Sequence, residues 1–169
     1  MKKYPLAQEK IVELLTSEQI GRLATTGPDG FPYITPVHFV FMSDKIFIHG
    51  LAAGEKLANI KNDGLVGFEI DKMHGFVQDE LPCDTNTSYE SVIIRGHAAL
   101  VTDIDTKIAV LNALVDKYIP QHSGKSYPDA MLKMTGIVEI SIQSCTGKHY
   151  PAWAQKELFQ TFAHWRIFG

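Results

Sequence analysis

From Tyr89 to Val101 the side chains alternate, with Val92, Ile94, Ala98 and Leu100 on one face and Ser91, Ile93, Arg95 and His97 on the other. A period of two held over that length belongs to an extended strand, and no helix satisfies it. A second run, Phe31 to Phe41, sends Tyr33, Thr35, Val37, Phe39 and Phe41 one way and Ile34, Pro36, His38 and Val40 the other. Pro36 has no amide proton to give a ladder, so its nitrogen must face a sheet edge, a bulge or a ligand. Ile20 to Thr26 joins this run through Gly27-Pro28-Asp29-Gly30, a hairpin signal. Lys45 to His49, Leu65 to Ile70 and Gly136 to Cys145 bring the expected strands to six.

Helical spacing intervenes irregularly. Leu6, Ile11, Leu14 and Leu15 mark a short amphipathic helix, and Gly54 to Asn62 a second with Leu57, Ala58 and Ile60 inward. Ile108, Leu111, Val115 and Tyr118 mark a third, capped by Asp103 or Asp105 and ended by Pro120, and Tyr127 to Met134 a fourth. Strands and helices that do not alternate strictly argue against a parallel βαβ sheet. The fold class expected is mainly β with helical inserts, an antiparallel barrel in one domain. Lys72 to Ser88 shows no period and reads as a long loop, a lid or interface arm. The tail from Pro151 carries Trp153, Phe159, Phe162, Trp165 and Phe168, which predicts docking on the body or on a partner subunit.

Sixteen Lys and Arg against nineteen Asp and Glu leave a formal charge of −3, which supplies no broad cationic field for nucleic acid or an anionic membrane. Gln8, Glu9, Lys10 and Glu13 break what an export signal would need as its apolar core, and the apolar runs are strand-sized. Cys83 and Cys145 lack paired spacing, so free thiols in a reducing cytoplasm are expected. His74, Asp79, Glu80, Cys83 and Asp84 are the best metal candidates, but their scatter has no ligand spacing and no metal site is expected. Cys145 reads as the polar side of a strand end, without the surroundings of a nucleophile.

The segment with most chemistry is Ile46 to Lys56, where a strand enters a loop of small residues and then a helix. Gly50, Ala52, Ala53 and Gly54 allow close approach of amide groups to a bound anion, and the helix start adds its positive end. Lys56 in the first turn opposes the helix dipole, a placement that favours a nearby anion. The Gly-Lys-Ser/Thr ending of a Walker loop and the glycine spacing of a dinucleotide fingerprint are both missing. The plain alternative, a glycine-rich connection, stays open on this segment alone.

Arg22-Leu23-Ala24-Thr25, Pro32 to Phe39, Phe47 to Lys56, Tyr89 to Gly96, and Met134-Thr135 through Thr146-Gly147-Lys148 follow one another in a recognisable order. In that order and spacing the chain resembles the pyridoxamine 5′-phosphate oxidase-like FMN-binding split barrels, and among them the nitroimidazole-resistance (Nim) branch. The resemblance runs from about Ile11 to Lys148. It implies a six-stranded antiparallel split β-barrel over residues 1–150, with 151–169 as the aromatic tail, and a homodimer holding FMN between subunits. It implies that Thr35, Pro36, Val37 and His38 line the isoalloxazine edge. His49, Gly50 and Lys56 would reach the ribityl chain and phosphate, with Arg22 a second cation. It further implies that Tyr89, Glu90 and Ser91 approach the cofactor, that Lys148 lies near it, and that His49 takes the reactive histidine slot of the Nim branch.

Other readings stay open for His49 and His38 as hydrogen-bonded barrel histidines and for Lys148 as a solvated strand-end charge. The activity implied is electron transfer between FMN and a small organic redox substrate. A flavin-binding or sensing module without turnover is the alternative. The arginine-rich substrate-phosphate motif of true pyridoxamine phosphate oxidation is replaced near the C-terminus by Phe162-Ala-His-Trp-Arg166.

Overall fold

A computed structural model describes residues 4–151. The strands are β1 (Tyr4–Pro5), β2 (Ile20–Thr26), β3 (Pro32–Met42), β4 (Lys45–Leu51), β5 (Leu65–Val77), β6 (Asn86–Leu100) and β7 (Thr135–Tyr150). The helices are α1 (Gln8–Ser17), α2 (Glu55–Asn62), α3 (Ile104–Tyr118) and α4 (Asp129–Met134). All pairings are antiparallel, in the order β1-β7-β4-β3-β2-β5-β6, and β6 pairs back onto β7 to close the barrel. The six expected strands are present. Tyr4–Pro5 adds a seventh, lying on β7 opposite His149 and Lys148.

The barrel is split because β3 changes neighbour along its length. Residues 32–38 pair with β2, whereas pairing with β4 covers Phe39 to Met42 alone. Among the described residues the other edge of β3 is therefore open beside Pro36, where a ladder donor would be wasted. Leu23, Phe39, Ile48, Phe68, Ile94 and Ile140 fill the interior, and Ile11, Leu14 and Leu15 of α1 join that core. A second core lies outside the wall, where Val110 and Leu114 of α3 cover Val40, Phe47 and Ile137. At roughly 1.5–3 kcal/mol for each large buried side chain, these two cores hold the wall between them.

Two expectations need correction. Lys72 to Ser88 is not one long loop: β5 and β6 continue as a two-stranded arm, pairing out to Val77 and Asn86, and the tip is a short turn with a 3-10 segment at Pro82–Asp84. Both faces of the arm are largely solvated, so burial imposes no alternation of residue type there. The register shifts between Met73 and Gly75, and Gly75 takes φ 137°, a left-handed value that bends the arm out of line.

Cys145 does not lie on the polar side. Arg95 faces Ser144 while Gly96 faces Ile142, so Gln143 is an extra residue that inverts the parity of β7 beyond it. Cys145 thus packs on the interior core, and burial pushes its thiol pKa up, away from thiolate chemistry. The aromatic tail lies outside the described residues. Among the described residues no helix is long and apolar enough to cross a membrane.

Candidate functional site

β4 ends in the corner that chain order predicts. Its last residues pair with the start of β7, His49 with Ile137, Gly50 with Gly136 and Leu51 with Thr135. The chain then crosses 52–54 into α2. Gly54 caps that helix at φ 119°, a backbone region that side chains rarely adopt, which lets the turn be this sharp. The first helical bond runs from the Ala58 amide to the Gly54 carbonyl at 3.0 Å, so the amides of residues 55 to 57 precede any helical acceptor. The Ala52 amide is not available to a ligand as expected, because it donates to the Met134 carbonyl at 3.1 Å.

Lys56 folds back over the strand end, its Nζ 3.9 Å from where a Cβ on Gly50 would stand. It forms no ion pair among the described residues. Burial holds its pKa below the usual lysine value. His49 keeps one solvent-exposed edge but is crowded by protein on the other. That desolvation, then the nearby His38 and Lys56, pushes its pKa below the ordinary histidine range. At neutral pH His49 is therefore an uncharged imidazole beside a cation. On the open stretch of β3, Thr35 carries a buried hydroxyl with no hydrogen-bond partner and Val37 is 8% exposed.

The structure brings His38, His49, Gly50 and Lys56 together, next to the open edge of Thr35 to His38. It gives Arg22 carboxylate partners of its own. On β2, across from Pro36 and Glu69, Arg22 pairs with Glu69 at 2.9 Å and with Asp71, and these two bonds raise its pKa. The remaining candidates form a separate strip. Tyr89, Glu90 and Ser91 on β6 lie across from Tyr150, His149 and Lys148 on β7. Lys148 sits 5.6 Å from the Tyr89 ring, and Glu90 binds His74 at 3.1 Å and Lys10 at 3.7 Å. Ser91 is 7% exposed, with an unpartnered hydroxyl.

The strip lies three strands from the open edge of β3: Pro36 faces Arg22, Arg22 faces Glu69, and Glu69 faces Ile93, two residues from Ser91. Along β7, Lys148 is eleven residues beyond Ile137, the neighbour of His49. Two surface hollows, about 380 Å³ beside Arg95 and Gln143 and about 420 Å³ at the arm tip beside Phe76 and Glu80, are lined by neither group.

The pattern of residues did not single out Tyr118 or Lys117 as site residues. Tyr118 shows only as an apolar position of α3, yet its hydroxyl meets Phe39 and Gln19 and its ring lies 4.7 Å from that of His38. Lys117 places its Nζ 3.9 Å over the Phe39 ring, buried and without a hydrogen-bond partner. Burial lowers its pKa to about 8, against a partly restoring pull from Glu18.

The family model described as pyridoxamine 5′-phosphate oxidase matches residues 7–149. The chain belongs to the pyridoxamine 5′-phosphate oxidase family. Comparison with curated protein sequences gives no match. Among solved structures, a candidate 5-nitroimidazole antibiotic resistance protein from Bacteroides thetaiotaomicron is similar at TM-score 0.76 and 19% identity, over 88% of this chain and 87% of that one. The flavocytochrome Anf3 from Azotobacter vinelandii is similar at 0.77 and 22% identity, over 85% and 67%. An FAD-binding protein from Mesorhizobium loti is similar at 0.64 and 20% identity, over 89% and 99%. At these identities the likeness establishes the split-barrel fold of the oxidase family member described here. In this member the cation of the corner, Lys56, has no ion-pair partner among the described residues, an arrangement suited to an anion.

Proposed function

We propose that this chain binds FMN at the corner of β3, β4 and α2, as a homodimer, and acts as an oxidoreductase on a small organic substrate. The observation that carries the reading is Lys56, half-buried over Gly50 at the mouth of α2 with no ion-pair partner among the described residues. A partly desolvated cation beside helix-start amides attracts a terminal phosphate. Further support comes from the open edge at Thr35 to His38 and the unpartnered Thr35 hydroxyl, which offer polar groups to a flat ring system. Bound flavin would supply the hydride or electron chemistry. Lys56 and the amides of 55 to 57 hold the phosphate, the β3 edge orients the ring, and neutral His49 offers a hydrogen bond at the ribityl side.

A homodimer agrees with corner and strip lying on different strands of the barrel, because a second copy can set Tyr89, Glu90, Ser91 and Lys148 of the partner subunit against the corner. The outer face of β2, β3, β5 and β6 is suited to such pairing, with Ile20, Ile34, Leu65 and Ile93 about half or more exposed. Free Cys83 and Cys145 agree with a cytoplasmic setting.

The purified chain should be yellow and sediment as a dimer. Mass analysis of the released ligand separates FMN from FAD, the group that several neighbours carry. Stopped-flow reoxidation of the reduced protein with nitroaromatics, after reduction by a nicotinamide, tests turnover. Failure with every acceptor and reductant leaves a binding or sensing module. A colourless protein with no affinity for added flavin overturns the reading.

A further inference from the structure

We propose that Tyr118 is a positioning residue for this corner: its hydroxyl stands in for a missing strand residue and sets His38 and the open edge of β3. The proposal rests on the flavin reading for its consequence, but its geometry lies in the chain itself. The β2–β3 ladder ends at Ile20 opposite His38, and the next rung would join Gln19 to Phe39. That rung is replaced by one oxygen. The Phe39 amide donates to Tyr118 Oη at 3.0 Å, and Oη lies 2.7 Å from the Gln19 carbonyl and 2.8 Å from the Phe39 carbonyl.

A hydroxyl has one proton and two lone pairs, so it accepts from Phe39 and shares its proton between the two carbonyls. Burial raises the phenol pKa, which keeps that proton in place at neutral pH. The knot falls where β3 passes from its open stretch to its pairing with β4 at Phe39 and Ile48. His38 is the last residue before it, and its ring lies 4.7 Å from the Tyr118 ring at 42°. Helix α3 thus fixes, from outside the barrel, the direction in which the open edge and His38 are presented. A tyrosine that served packing alone would need no hydroxyl at this spot.

Tyr118→Phe keeps the ring and removes the knot. In the flavin-free dimer, the His38 imidazole and Phe39 amide NMR signals should shift while thermal melting stays cooperative. In titrations with FMN, the variant should bind about tenfold more weakly, the loss expected for one or two hydrogen bonds. It should also change the visible circular dichroism of the bound flavin, a signal that stability alone does not move. Adding His38→Gln to Tyr118→Phe should cost less than His38→Gln does in the wild type. Wild-type affinity and an unchanged visible dichroism in Tyr118→Phe overturn the proposal, even if melting falls. If the wild type takes up no FMN, the flavin reading falls instead. The NMR arm then decides, and unmoved His38 and Phe39 signals overturn the positioning role. Should Tyr118→Phe not fold, 3-fluorotyrosine at 118 retains every bond and alters donor strength, with the same readouts.

Discussion

Two cations beside the open edge of β3 have opposite surroundings. Arg22 sits on β2 between Pro36 and the acids Glu69 and Asp71, and both acids bind it. Lys56 sits above Gly50 with no ion pair among the described residues, and beside it stand two histidines, one of them held neutral. The strip at the other end resembles Arg22: Glu90 is matched by His74 and Lys10. Arg22 and Glu90 are ion-paired within the chain, and Lys56 at the open edge is not, which on the proposed reading leaves the corner to an outside anion. On that reading an unpaired cation at an open edge, rather than charge as such, marks the site.

The contrast breaks most directly at the two cations. Lys56→Glu should weaken FMN binding by about 100-fold or more, because a charge-assisted contact worth roughly 1.5–3 kcal/mol becomes a repulsion. Arg22→Gln should change it by less than about threefold, and stability by about 1 kcal/mol or less, since the pair is half-exposed and screened. Fluorescence titration with FMN reads both. Equal losses at the two positions would erase the distinction and return Arg22 to the cofactor.

Lys117 sharpens the same contrast without any ligand. Its ammonium is desolvated over Phe39, with a folded pKa of about 8 against roughly 10.4 for an unfolded lysine. Between those values the unfolded chain binds more protons, so stability must rise with pH across that window. The gain should be about 1–2 kcal/mol after discounting for solvent screening of a side chain that is only partly buried. Lys117→Met should remove this slope and be the more stable protein at pH 7. Urea midpoints at pH 8, 9 and 10 measure it, and parallel curves for the two proteins would show that the amine is solvated after all.

What the residues disclose in advance depends on whether the two sides of an element differ. β6 is legible because Val92 and Ile94 are buried while Ile93 and Arg95 are not. The α3 cap is legible because Asp103 needs only its own neighbour: its carboxylate accepts from the Thr106 amide at 2.8 Å. The β5–β6 arm is illegible because both of its faces meet water, and the inversion at Gln143 because one inserted residue leaves no mark in composition. The course of the chain at the corner is legible from chain order alone, since strand, small-residue loop and helix are contiguous. Tyr118 was not, because its partners Gln19 and Phe39 are remote in sequence and its spacing is that of any core residue. The separation of corner from strip also needs register, which residue order does not supply.

The strip offers a test in which stability and binding should move apart. Ser91 buries a hydroxyl with nothing to bond to, a state that costs the lone chain free energy. Ser91→Ala should therefore leave the flavin-free protein as stable or up to about 1 kcal/mol more stable. If the hydroxyl waits for a flavin held by the partner subunit, the same change should weaken FMN binding about three- to tenfold.

The smallest effect belongs to Glu90, and its smallness is the point. Its pairs with His74 and Lys10 leave those two partners substantially exposed, and such pairs are each worth about 0–1 kcal/mol. Glu90→Gln keeps the shape and removes the charge, so stability should fall by less than about 0.5 kcal/mol at pH 7. FMN affinity should hold constant or improve slightly, because an anion near a bound phosphate is lost while no donor is. A large loss of affinity in Glu90→Gln would mean that this carboxylate touches the cofactor. The balanced strip would then be as functional as the unbalanced corner, and charge imbalance would lose its value as the marker of the site.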